Sequence, residues 1–596
     1  MKNIKLILAT AAICMAAVSC ENAKFLDRSP YTSTAPEYFY KTEAQMTMAL
    51  TSAYGAMTCY SIPGTSNVYN GNYSQGLYYI MNGPSDDVVS TGTTQNEGIE
   101  LEQGIFDESS PSIRNFWKTF FVGINRCNIV IDYIDNLENS TDEKKAQYLA
   151  EARFMRAFYY YHLAWTFGGV PVITSHESDG TEARKSLEEV YELILSDLDF
   201  AYANLQDGKS GLLGAASANK WTAAAYIGRI CNYLASCKRY GTGKDLVAQQ
   251  PLNDFSFVDA DAMTTKAKAA LEDVVLNSPY TLNSDYRLNF LELSKSEQYK
   301  ECLFLAEQPL SGTTGNWPAS YYLPTPAAAS STVYPGSQNR HMPTTRIFYS
   351  YVKEDARRDW NVTGRYNEGY EEFILDGHSY AQPNTQDSLT ADGIKVPYPY
   401  YDAPGQSYSP ASYYKCCTGK FRLANVDEVS HNLHQHALSY PLMRLADVYL
   451  MYAEALYFSG NESEGREWMN KVLERSATDE ENYSYLLDKY HEDDFVDELL
   501  NNRLRELFME GSRKFDLIRF NRIDDAMAGI NLTKYDGQFI PDLEDKYMTR
   551  STSYTKILEE LQSNWMSFKI WLPLSEQQIG VNPALKQNAG WGSSSN

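Results

Sequence analysis

The stretch "EARFMRAFYYYHLAWTFGGVP", residues 151–171, decides the fold. Phe154, Phe158, Tyr161 and Trp165 recur at intervals of three and four, which puts them on one face of a helix. Ala157 and Ala164 leave room for a neighbouring backbone, Gly168-Gly169 ends the element, and Pro171 prevents its return. The spacing predicts a helix over 142–167. Working outward, the same periodicity runs through 42–60, 112–136, 186–206, 218–240 and 264–277, and resumes at 441–459, 462–476 and 493–511. Helices joined by short turns, with small residues at their contacts, are the pattern of tetratricopeptide-type repeats. The character changes between 281 and 435. There, "SGTTGNWPASYYLPTPAAASSTVYPGSQNR" (311–340) and "VPYPYYDAPGQSYSPASYY" (396–414) hold too much Pro and Gly for helix. The expected fold is all-α: a tetratricopeptide-like helix-pair scaffold carrying a large irregular, loop-rich insertion.

The chain opens with a basic Lys2/Lys5 segment and a short apolar run that stops at Ala17-Val18-Ser19-Cys20. The run is too short to be a stable membrane anchor and reads as an export signal, residues 1–19. Its ending resembles a bacterial lipobox, in which Cys20 is acylated and tethers the mature protein to a membrane. The expected organisation is therefore a signal at 1–19, a helical-repeat region at 20–280, an aromatic-rich loop region on the ligand side at 281–435, and a C-terminal helical region at 436–596.

Composition excludes several classes. With 76 acidic against 52 basic residues and a net charge of -24, the chain repels phosphate backbones, and no basic stripe offsets this, so no nucleic-acid partner is expected. The nine cysteines are scattered without zinc-ligand spacing, and adjacent Cys416 and Cys417 have no functional reading. The surplus is aromatic, with 46 Tyr and 9 Trp, many in Gly/Pro/Ser/Asn-rich stretches.

Motifs that tempt fail on context. "ANLQDGKS" (203–210) satisfies a relaxed phosphate-loop pattern, but a helix precedes it and Gly208 reads as that helix's C-cap. His431, His434 and His436 in "HNLHQH" lack carboxylate or thiolate partners at ligand spacing, so they read as a solvated loop and no metal is expected. GxSxG, HExxH and catalytic Cys/His signatures are absent. Asp86-Asp87 is the best carboxylate pair and reads as a capping or turn element.

Five segments, in order, carry a family resemblance: "CENAKFLDRSP", "EARFMRAFYYYHLAWTFGGVPVIT", "YPLMRLADVYLMYAEALYFSGN", "NNRLRELFMEGSRKFDLIRFN" and "WLPLSEQQIGVNPALKQNAGW". Together they resemble the SusD/RagB family of surface lipoproteins from Bacteroidota. The resemblance implies a non-enzymatic outer-membrane lipoprotein, facing outward and without a cofactor. Such a protein sits as a lid on a SusC-like TonB-dependent transporter and passes it an oligosaccharide. The alternatives are a peptide-binding lid of the RagB type, a surface glycoside hydrolase with two carboxylates about 5–10 Å apart, and a partner with no ligand of its own.

In the segments that carry the resemblance, Arg444, Asp447 and Glu454, then Arg503, Arg505, Glu506, Glu510, Arg513 and Asp516, alternate with apolar positions and read as ion pairs fixing helix packing. Ligand contacts are expected elsewhere, because sugar rings lie on aromatic faces with polar groups at their edges. "NWPASYY" supplies Trp317, Tyr321 and Tyr322 at a position where family members often carry binding aromatics, and "YNGNYSQGLYYIMN" supplies Tyr73, Tyr78, Tyr79 and Asn82. The stretch "STGTTQNEGIELEQG" carries no aromatic, which departs from a starch-like platform.

Overall fold

The computed structural model describes residues 39–58, 78–90, 99–307, 341–363, 370–383, 388–389, 395–396, 417–421, 438–530 and 552–592. The N-terminal helices are α1 (Glu43–Thr58), α2 (Tyr78–Asn82), α3 (Ile99–Glu102), α4 (Pro111–Tyr133), α5 (Asp142–Phe167), α6 (Leu187–Asn204), α7 (Lys220–Tyr240) and α8 (Ala260–Asn277). After α9 (Lys295–Glu301) and α10 (Thr345–Ser350), the main C-terminal helices are α11 (Leu445–Phe458), α12 (Glu462–Glu474), α13 (Glu480–Tyr490), α14 (Phe495–Leu507), α15 (Arg513–Arg519) and α16 (Ile523–Gly529). Helices α4 through α8 each pack on the next, and α8 packs on α11, so the scaffold is a continuous stack of helix pairs. The fold is all-α in class, with strands only as short two-stranded pairs among the described residues.

Local signals set the helix ends. The Thr141 side chain accepts the Lys144 N–H at 3.1 Å to start α5, and Gly168, at φ 76°, ends it. Reciprocal capping boxes open α6 (Ser186/Glu189) and α7 (Asn219/Thr222). Helix α5 is the centre of the molecule. Phe154, Phe158, Tyr161 and Trp165 are all buried. Phe154 and Phe158 meet Phe304 edge-on at 5.2 and 5.6 Å, and Trp165 stacks on Phe515 at 3.9 Å. Gly123 lets α4 approach: a Cβ there would lie 2.5 Å from the Tyr159 ring.

Three sequence expectations are corrected. Residues 441–444 are not helical: Tyr440–Arg444 is a strand pairing antiparallel with Cys302–Ala306. Pro441 disfavours helix before it, and the all-buried run matches a strand sunk in the core. The helix expected over 493–511 stops at Leu507, because the Lys420 Nζ donates to the carbonyls of Glu506 (3.0 Å) and Phe508 (2.8 Å) and Met509 turns to φ 62°. Gly208 is not a C-cap: α6 ends at Leu205, which is extended.

Within 281–435, Leu303, Phe304 and Ala306 lie in the main core, and Tyr370–Leu375 forms a hairpin with His378–Pro383 through Asp376-Gly377, both at positive φ. The 311–340 stretch lies outside the described residues, as does 396–414 apart from Val396.

The charged positions of the C-terminal segments form a buried network. Arg444 bonds Glu301 (2.7 Å), Glu506 (3.0 Å) and Glu510 (2.7 Å), and Arg357 and Arg475 also hold Glu506. Asp447 is shared by Arg503 (2.7 Å) and Arg229, and Glu454 pairs with Arg519.

Candidate functional site

Two parts of the chain that are far apart in sequence meet at one corner. Val88–Ser90 (β1) pairs antiparallel with His341–Pro343 (β2), with Ser90 opposite His341. The end of β1 and the start of β2 therefore stand side by side. The α2–β1 corner beneath is tightly fixed. Gly83-Pro84 is cis. The Ser85 hydroxyl donates to the Asn82 carbonyl at 2.7 Å and to Asp87, while Thr344 N–H donates to the Asp87 carbonyl at 2.8 Å. The Arg513 guanidinium grips Asp86 with both arms at 2.7 Å, and Lys514 Nζ donates to the Gly83 carbonyl at 3.0 Å.

Burial and charge set the protonation of this corner. Burial works to raise the Asp86 carboxyl, but Arg513 overrides it and holds the group below its ordinary value. At Asp87, burial and then the Asp86 charge beside it outweigh the Ser85 bond and the charge of Arg513, and push its carboxyl up to about 7. Burial alone pushes Lys514 down to about 7. The Asp86-Asp87 pair is thus a buried ion pair and a neighbour bonded to Ser85, not the helix cap or simple turn that the sequence implied.

Beside the corner opens a cleft of about 530 Å³, within the roughly 300–1,000 Å³ typical of small-molecule sites. Asp86 and Arg513 line it together with Arg346, Asn501, Asp497 and Asp525. Arg346 stands on α10, which follows β2, and donates to Asn501 Oδ1 at 2.9 Å. Burial and the neighbouring Arg513 lower its affinity for a proton.

Of the residues expected to touch ligand, Trp317, Tyr321, Tyr322 and Tyr73 lie outside the described residues. Tyr78 and Tyr79 are on α2. Asn82, on the same helix, is buried, and its Oδ1 accepts the Gly511 N–H at 3.1 Å, so it braces α2 against the C-terminal region. Cys20, Cys416 and the three histidines of 431–436 lie outside the described residues, and Cys417 is on a short strand paired with Val362–Thr363. Among the described residues no group of three His, Cys, Asp or Glu side chains could hold a metal. Sequence reasoning missed Arg346, Asn501, Asp497 and Asp525. The helical period marks which face of a helix is buried, not which exposed charges share a cleft.

Comparison with known proteins gives a consistent family. The model of the SusD family matches residues 282–591, and one described as "Starch-binding associating with outer membrane" matches residues 24–234. The SusD-like protein P38 of Formosa agariphila is 25% identical, over 86% of this chain and 90% of its own. The starch-binding protein SusD of Bacteroides thetaiotaomicron is 22% identical, over 65% of this chain and 67% of its own. Among solved structures, a SusD homologue from Bacteroides thetaiotaomicron superposes with a TM-score of 0.68 at 16% identity, covering 94% of this chain and 100% of that one. A laminarin-binding SusD-like protein superposes at 0.62 with 18% identity, covering 93% of this chain and 100% of that one. With more than half of its length matched by one family model and the same all-α architecture throughout, the chain belongs to the SusD family.

Proposed function

We propose that this protein is an outer-membrane lipoprotein, anchored through Cys20 and facing the exterior, that captures a glycan without cleaving it and delivers it to a SusC-like TonB-dependent transporter. The observation that carries the reading is the Ser90–His341 pairing. It brings the end of β1 and the start of β2 together at one corner beside an open cleft. The names of the relatives support the class of ligand: one binds starch and another laminarin. The description of the family model matched at residues 24–234 supports association with the outer membrane. Binding without hydrolysis fits the corner's chemistry, since Asp86 is committed to Arg513 and Asp87 to Ser85.

The test is titration calorimetry on residues 21–596 against amylose, laminarin, xylan and mannan, with a peptide mixture as a separate arm. The triple substitution Trp317→Ala, Tyr321→Ala, Tyr322→Ala runs in parallel. Glycan binding with no release of reducing ends, weakened about tenfold or more by the triple variant, is the expected result. Silence across the sugars, or a response to peptides alone, overturns the reading.

A further inference from the structure

The cleft beside the corner has a chemistry unlike that of the Trp/Tyr-bearing segments. One wall is a fixed relay: Asn501 Nδ2 donates to Glu492 Oε1 at 2.5 Å while its Oδ1 accepts from Arg346. Arg346 Nε stands 3.8 Å from Asp86, and the side chain remains 42% exposed, so most of its N–H groups have no protein partner among the described residues. Arg522 and Asp497 line the cleft as well, only loosely paired at 3.5 Å and each nearly half exposed, with Asp525 on α16. Leu500 and Leu517 add apolar lining. No aromatic ring is among the described residues that line it.

Resting on the glycan-capture reading above, we infer that this cleft is a contact site for a neutral sugar unit, recognised through its hydroxyl groups by Arg346, Arg522, Asp497 and Asp525 rather than by stacking. The charge pattern selects the class. A phosphate or uronate would meet the carboxylates of Asp497 and Asp525, and an ammonium group would meet Arg346 and Arg522. A hydroxyl both donates and accepts, so adjacent hydroxyls satisfy a guanidinium and a carboxylate at once. Such charge-assisted bonds are roughly twice as strong as neutral ones. Leu500 and Leu517 accommodate the C–H face of the ring. Arg346, Asp497 and Asp525 stand on helices, Arg522 caps α16, and the bidentate Asp86–Arg513 pair braces the site, so little backbone ordering is needed on binding.

The experiment uses whichever of amylose, laminarin, xylan or mannan binds the unaltered protein. Arg346→Ala and Asp525→Asn are each titrated with that glycan, with melting temperatures recorded to confirm folding. Asp525 is exposed and makes no ion pair among the described residues, so its variant keeps the test open should Arg346→Ala fail to fold. The expected result is an affinity about tenfold lower for Arg346→Ala and several-fold lower for Asp525→Asn. Unchanged affinity in both variants overturns the cleft assignment and leaves glycan capture standing. Failure of the unaltered protein to bind any of the four sugars overturns both, and peptide binding that Arg346→Ala abolishes overturns the sugar class.

Discussion

The two halves of the scaffold are held together by different forces. Around α5 rings cluster beside the buried Arg156–Asp197 pair: Phe154, Phe158 and Tyr226 crowd edge-on about Phe304, and Trp165 lies flat on Phe515. Around α14 the contacts are charges: Arg357, Arg444, Arg475 and Lys420 face Asp355, Glu301, Glu506 and Glu510, all buried or nearly so. Packed rings tolerate loss of a neighbour in proportion to the cavity left. A buried charge network tolerates almost none, because removing one partner strands the others out of water. The ring-packed half is insensitive to salt and tied to shape, while the charged half depends on every member being present.

The largest expected effect tests that contrast directly. Glu506→Ala strips a carboxylate, fully buried, from three arginines and is expected to destabilise by about 5 kcal/mol, the upper end for a broken buried pair. Denaturant melts of both proteins measure it. Phe158→Ala, at the ring-packed centre, is expected to lose about 3–4 kcal/mol, with little dependence on salt. If it proves the more damaging of the two, the contrast between halves is wrong.

The third expectation sharpens the comparison through pH. Asp447, where burial is overcome by Arg503 and Arg229, is held at about 2 against an ordinary 3.8. Its stabilisation is complete above 3.8 and is lost as pH falls towards 2. Glu151, on α5, has no cation at bonding distance among the described residues. It accepts from the Tyr54 hydroxyl at 2.9 Å and from the Leu212 N–H, and burial pushes it from 4.5 up to about 7. Between those values the folded chain keeps a proton on Glu151 that the unfolded chain has released, so the contribution of Glu151 to stability falls as pH rises from 4.5 to 7 and is level beyond. Glu151→Gln is expected to be more stable than the parent by about 1–2 kcal/mol at pH 8 and to lose that advantage near pH 4. Melting temperatures at the two pH values decide it, and a parent whose stability is flat between pH 5 and 8 would remove Glu151 as the source.

Much of the fold was legible because its signals are local. The helix over 142–167 has the bounds its period implied, since Thr141, the apolar stripe and Gly168 all lie within the element they define. The segment 441–444 was misread because Leu442 and Met443 continue an apolar run into a true helix, and only the partner strand at 302–306 distinguishes the two. The candidate site was less legible still: α2 was within the predicted region, but the charged wall of the cleft was not.

By itself, then, the sequence determined the all-α class, the positions of most helix ends and the grouping with the SusD family, because periodicity, caps and ordered segments are properties of neighbouring residues. The tertiary structure alone decided which charges pair and where a cleft opens. Arg444 meets Glu301 across 143 residues, and Arg513 meets Asp86 across 427. A charge has no intrinsic partner along the chain. It takes whichever opposite charge the packing of the helices brings within reach as water is excluded, and that choice is made only when the whole chain has folded.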